Sequence, residues 1–137
     1  SFKVEILKAI HNFTASSGNT FNLALYTSSA TLNKSTTAYS SSNEISNTSG
    51  SAYSAKGLAL TSVTPVLSSD TAVCDFANIS WSSASFTARG CLIFNDTASG
   101  DPSVCAIDFG GDKTVTSGTF TIEFPAASAG SAIIGIA

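Results

Sequence analysis

Apolar and polar residues alternate along most of this chain. A strand sends successive side chains to opposite faces, so the alternation predicts sheet. Thr119 to Phe124 is the clearest case: Phe120, Ile122 and Phe124 face one way, Thr119, Thr121 and Glu123 the other, and Pro125 closes the run. Thr20 to Thr27 sets Phe21, Leu23 and Leu25 against Asn22, Ala24 and Tyr26. Asp75 to Phe94 is expected to be the centre of the fold, as two strands joined by a short Ser/Ala turn. In its first half Asp75, Ala77, Ile79 and Trp81 oppose Cys74, Phe76, Asn78 and Ser80. In its second half Phe86, Ala88, Gly90, Leu92 and Phe94 oppose Thr87, Arg89, Cys91 and Ile93. Leu58 to Val66 is a further strand, with Leu58, Leu60 and, after a register change near Ser62, Val63 and Val66 inward. Pro65 marks it as an edge or a strand end. Val104 to Phe109 alternates Cys105, Ile107 and Phe109 with Val104, Ala106 and Asp108, and Gly110-Gly111-Asp112-Lys113 predicts a turn.

The period changes only in residues 2–13. There Phe2, Ile6, Ile10 and Phe13 recur at spacings of three and four, which predicts a helix with one apolar stripe. So short a helix is marginal alone, so the stripe must dock on its own sheet or on another subunit. Residues 28–55 read as a long polar loop region, broken by short strands around Ala38-Tyr39 and Glu44-Ile45. The tail, 126–137, ends in an apolar strand from Ala132 that should pair within the sheet or with a neighbour. About eight strands punctuated by turn signals predict an all-β fold, an antiparallel β-sandwich or jelly-roll-like domain spanning 1–137, with one short N-terminal helix.

Composition changes this picture in one respect. Charged residues make up 11% of the 137, against about 25% in an average soluble protein. Ser, Thr and Asn fill the polar positions instead. A hydroxyl costs less to bury than a carboxylate, so such faces suit contact with other protein in an assembly. The net charge of −3, with six scattered Lys and Arg, argues against a nucleic-acid partner, which needs clustered cations. No apolar run is long enough for a membrane helix. Lys3, Glu5 and Lys8 interrupt the N-terminal apolar residues and argue against a signal peptide. With Ser1 read as following a removed initiator Met, synthesis in a cytoplasm is expected.

The residues that carry chemistry are few. Cys74, Cys91 and Cys105 are odd in number and match no zinc spacing. Each falls in a predicted strand, where reduced, buried thiols are expected; a Cys91–Cys105 bridge is the alternative. His11, the only histidine, is expected at the helix end, where the dipole favours a cation. It has no GxSxG partner for a triad. Asp108-Phe109-Gly110 lacks the other kinase motifs. Asp96, Asp101, Asp108 and Asp112 lack EF-hand spacing, and no paired carboxylates stand out for glycoside hydrolysis. No catalytic, cofactor or metal residues are assigned, and no enzymatic activity is expected. Asn-X-Ser/Thr triplets at Asn12, Asn33, Asn47, Asn78 and Asn95 read as chance in so Ser/Thr-rich a chain. Tyr39 and Tyr53, set among Ser and Asn, either form a contact surface for protein or sugar or fold back on the sandwich.

The stretches FKVEILKAIHNF, TFNLALYTSSATLNKSTTAYSSSNEIS, DFANISWSSASFTARGCLIFND and DFGGDKTVTSGTFTIEFP resemble, in order and over nearly the whole chain, a family of small structural proteins of tailed bacteriophages. Ala24-Leu25-Tyr26-Thr27, Thr87-Ala88-Arg89-Gly90 and Asp108-Phe109-Gly110-Gly111 are the most specific pieces. Some members are head decoration (cement) proteins. The resemblance implies a non-enzymatic β-sandwich without cofactors on the phage head surface, forming trimers and bridging major capsid protein subunits. Phe2, Ile6, Ile10, Tyr39, Tyr53, Ile133 and Ile134 are the expected subunit or capsid contacts. A tail or fibre protein binding host receptor or glycan is the first alternative, and a secreted carbohydrate-binding sandwich the second.

Overall fold

The computed structural model describes residues 1–46 and 50–137. Its elements are α1 (Phe2–Leu7), β1 (Phe21–Tyr26), β2 (Leu58–Leu60), β3 (Ser62–Ser68), β4 (Thr71–Phe76), β5 (Ile79–Asn95), β6 (Ser103–Ile122) and β7 (Ile134–Ile136). All strand pairs are antiparallel and form two sheets, β2-β1-β5-β6 and β3-β4-β7. The fold is an all-β sandwich with one short N-terminal helix. The tail docks at home: Ile134, Gly135 and Ile136 pair with Cys74, Val73 and Ala72 of β4.

The expected hairpin within Asp75–Phe94 is instead a crossing between sheets. The chain leaves β4 at Phe76, crosses at Ala77 and Asn78, and enters the other sheet as β5. The Ser/Ala segment after Trp81 does not reverse the chain. It forms a bulge inside the 17-residue β5, with Ser83 at φ 53. The Gly110-Gly111 turn is likewise absorbed into the 20-residue β6. Pairing runs from Ala88↔Lys113 to Gly90↔Asp108, so Phe109 to Asp112 stand against Arg89 alone. Bulges shift the pleat and bend the strand, and here they decide which side chains are inside. Trp81, Ala84, Phe86 and Ala88 face the main core; past the second bulge Cys91 and Ile93 do. Leu92 and Phe94 fall on the opposite face. The single alternation expected from Phe86 to Phe94 is therefore interrupted at Arg89.

The main core fills the space between the sheets. Phe13 stacks on Phe21 at 4.4 Å, and Leu23, Leu25, Tyr53, Trp81 and Ile93 complete its centre. A second cluster, Ala24, Tyr26, Leu92 and Phe94, lies on the outer face of the larger sheet, covered by Ala30, Leu32 and Tyr39. The described parts of the long polar segment thus form a lid on β1 and β5. Its expected short strands are single bridges, Ala38↔Pro102 and Tyr26↔Glu44.

Three further expectations are corrected. The helix ends at Leu7 rather than residue 13, because Ala9 turns to φ 56 and residues 10–13 leave the helical path. Val63 and Val66, expected inward, are exposed on edge strand β3. Asn78, expected in a core strand, sits exposed at the crossing, whereas Asn95 is fully buried and closed to glycosylation. The Asn47 triplet lies outside the described residues.

Candidate contact surface

Two polar hubs, one half-buried and one fully buried, hold the irregular segments to the sandwich, and both use residues singled out above. The first is Glu44. One carboxylate oxygen accepts from the Tyr53 hydroxyl at 2.7 Å and from the Lys56 backbone N–H at 2.7 Å; the other accepts from the Tyr39 hydroxyl at 2.6 Å. The Tyr53 hydroxyl also accepts the Leu25 N–H at 2.9 Å. Tyr26 donates to the Ser40 carbonyl at 2.7 Å. Tyr53 is 1% exposed and Tyr39 stacks on Phe94 at 4.7 Å. Tyr53 therefore cannot be a contact residue in the folded chain, and both rings fold back on the sandwich.

The second hub is Asn95, on the last residue of β5. Its amide nitrogen lies 3.0 Å from the Ile10 carbonyl, 3.1 Å from Asn19 Oδ1 and 3.2 Å from His11 Nδ1. Its oxygen accepts the Thr97 and Ala98 N–H groups. Because an amide NH₂ only donates, His11 Nδ1 is the acceptor, and Nε2–H faces Glu5 Oε2 at 3.1 Å. His11 is thus a buried tether for the N-terminal segment, not the helix-end cation expected. Among the described residues no hydroxyl or thiol is hydrogen-bonded to it. Asn95→Ala should cost about 2–4 kcal/mol, since several buried groups lose partners together; chemical denaturation checks this.

The loop-end carboxylates are also occupied. Lys56 Nζ sits 2.6 Å from Asp96 and 2.9 Å from Asp101, over the rings of Tyr39 and Phe94. Asp108 pairs with Arg89 at 2.9 Å. Among the described residues no group of three or more His, Cys, Asp or Glu forms a metal site. The cysteines are free thiols. Cys91 stands opposite Ile107 and Cys105 opposite Ile93, so the two are diagonal neighbours about 7–8 Å apart, too far to bridge without backbone movement.

Burial pushes the Cys105 thiol up to about 11 and also raises Cys91 and Cys74. Burial, then the Glu44 charge, pushes the Tyr26 phenol up to about 12; burial and the Glu44 hydrogen bonds raise Tyr39 and Tyr53. The hydrogen bonds that Lys56 donates to Asp96 and Asp101 raise its own value. In every case the folded chain holds the proton more tightly than the unfolded chain. This stabilisation is complete below the ordinary values and is lost as pH rises through the raised ones. The unfolding midpoint should therefore be steady near neutrality and fall from about pH 8.5–9 upward. Thermal melts across a pH series check this. Thiol reagent should reach Cys91 only on unfolding.

What remains for a partner is outside these hubs. Phe2 and Ile6 turn inward against the core, so α1 docks in cis, as do Ile133 and Ile134. Ile10 is 36% exposed, and beside it Val4 (54%) and Leu7 (88%) point out. The legible signal for them was a helix apolar on more than one side, which cannot bury every face. On the smaller sheet, Leu67, Ala72 and Ile136 lie in one cross-strand row on the face opposite buried Val73. Leu67 is 74% exposed and Ile136 54%. A groove of about 750 Å³ also runs between the first turn of α1, the 30–36 loop and β6, lined in part by Lys3, Lys34, Arg89 and Asp108. No helix among the described residues is long and apolar enough to cross a membrane. Comparison with protein-family models, curated proteins and solved structures found no match.

Proposed function

We propose that this protein is a non-enzymatic structural component of a phage particle, a decoration protein that binds the outer head surface, associates with copies of itself and bridges major capsid subunits. The observation that carries this reading is the outward row of large apolar side chains, Val4, Leu7 and Ile10 on one side and Leu67 and Ile136 on another, on a chain with 11% charged residues. Apolar side chains on two separate surfaces suit a clamp that touches more than one neighbour, whose modest contacts add through multivalency. The tail and glycan-binding reading drew on exposed Tyr39 and Tyr53, and their inward packing removes that support.

Copy number tests the proposal. Hundreds of copies per purified particle, lost from the head on mild heating together with shell stability, are the expected result; a few to dozens confined to tails would overturn it. Leu7→Ser should lower particle binding about tenfold, from loss of one apolar burial, while shifting stability by no more than about 0.5 kcal/mol. Unchanged binding by Leu7→Ser would remove α1 from the contact.

A further inference from the structure

The four sheet edges differ sharply. β2 and β7 have three residues each, and β3 carries Pro65. These are the usual protections against strand pairing. The fourth edge, β6, has little protection beyond Ser117. From Thr114 to Ile122 it contains no charged residue and no proline; Phe120–Ile122 runs in register with β5 (Ile79↔Ile122, Ser80↔Thr121, Trp81↔Phe120), and the bulge between Trp81 and Ala84 shifts the pairing before Gly118 meets Ala84. Among the described residues, no backbone group from Gly118 to Ile122 bonds to any element but β5.

The side chains tell the same story. On β1, in the middle of the sheet, Phe21, Leu23 and Leu25 are 0% exposed. On β6 the inward row of Val115, Phe120 and Ile122 packs against the core but stays half-buried, and so does Phe124 just beyond the strand. The sandwich is open along this edge. Closing it takes a strand to satisfy the backbone and apolar side chains to cover the phenylalanines.

We infer that β6 pairs antiparallel with β6 of a second copy of this chain, over Gly118–Ile122, joining two four-stranded sheets into one of eight strands. The occupant follows from the edges themselves. Of the edges a second copy offers, only its own β6 combines length with a stretch free of charge and proline. Antiparallel pairing of a strand with itself is two-fold, so each copy lends the other the same inward row. Outside, Thr119 and Thr121 would meet their counterparts as a hydroxyl ladder, as Thr87 and Thr114 already do across β5 and β6 at 2.8 Å. This deepens the self-association in the proposed function, and it specifies a two-fold contact rather than the trimer that the family resemblance implies.

The test is sedimentation of the full chain over a concentration series, beside Thr119→Lys/Thr121→Lys. Both threonines face solvent, and paired lysines across a two-fold edge repel. A dimer that becomes monomeric in the double variant, with an unchanged circular dichroism spectrum, is the expected result. A wild-type monomer at every concentration, a trimer, or a dimer indifferent to the lysines overturns the pairing. Hydrogen exchange on the wild-type chain gives a second readout that needs no variant: amides of Gly118–Ile122 should gain protection as concentration rises, and protection independent of concentration overturns it. Neither readout involves particles, so failure here leaves the decoration reading to be judged on copy number alone.

Discussion

Gly57→Ala is expected to destabilise the fold by more than about 4 kcal/mol, the range reserved for changes the structure cannot absorb. Gly57 has φ +67, where any other residue is strained, and a Cβ there would lie 1.8 Å from the Leu23 carbonyl oxygen and 3.0 Å from Ala24 Cα. These are backbone atoms, so no side chain can swing aside. The turn that places Gly57, closed by its N–H on the Ser54 carbonyl at 2.9 Å, delivers Leu58 opposite Leu23. Relief would require β2 to part from β1, the strand that contributes to both apolar clusters. Gly110→Ala is the control: its φ is +76, but nothing lies within 4 Å, so only the left-handed backbone penalty of about 1–2 kcal/mol applies. Denaturant titrations of the two variants compare them directly. Equal losses would show that the close approach to Leu23 is not what selects glycine at 57.

Glu44→Ala is expected to cost about 3–5 kcal/mol, because hydrogen bonds to a charged acceptor contribute about 1.5–3 kcal/mol each and several donors lose theirs at once. The Tyr53 hydroxyl and the Lys56 N–H would be left without their carboxylate, and Tyr39 would lose its hold. The segment over β1 and β5 should then open to proteolysis ahead of the sandwich. Tyr53→Phe is milder, about 1–3 kcal/mol, since the ring stays and the Leu25 N–H loses its acceptor. A double-mutant cycle between Glu44→Gln and Tyr53→Phe isolates their coupling, expected at about 1–3 kcal/mol. Additive losses would mean that the two act independently and that the lid is held elsewhere.

These two sites mark where sequence reasoning stopped. Tyr39 and Tyr53 lie in a stretch so rich in Ser and Asn that exposure was as reasonable as burial. The partner that draws them in, Glu44, is one acid among nine, and nothing local distinguishes it. Gly57 follows Lys56 in an ordinary-looking turn; the oxygen that forbids a side chain belongs to Leu23, more than thirty residues earlier. His11 was misplaced for a related reason. A 3–4 spacing carried the helix through Phe13, but the Asn95 amide captures the Ile10 carbonyl and the His11 ring and holds that stretch out of the helix.

By itself, the sequence determined the class of structure: antiparallel strands, the apolar faces of β1 and β6, the extent of the polar segment, and a helix at the start. These follow from side-chain periodicity, which depends only on near neighbours in the chain. Only the tertiary structure decided which strands share a sheet, where β5 and β6 change phase, and which polar residues are buried. A bulge exists only relative to a partner strand: Phe109 to Asp112 are a turn in isolation and an insertion opposite Arg89 once β5 lies alongside. In the same way, a tyrosine or an asparagine goes inside only when distant groups meet it there with matching donors and acceptors, because burial without them costs more than it returns.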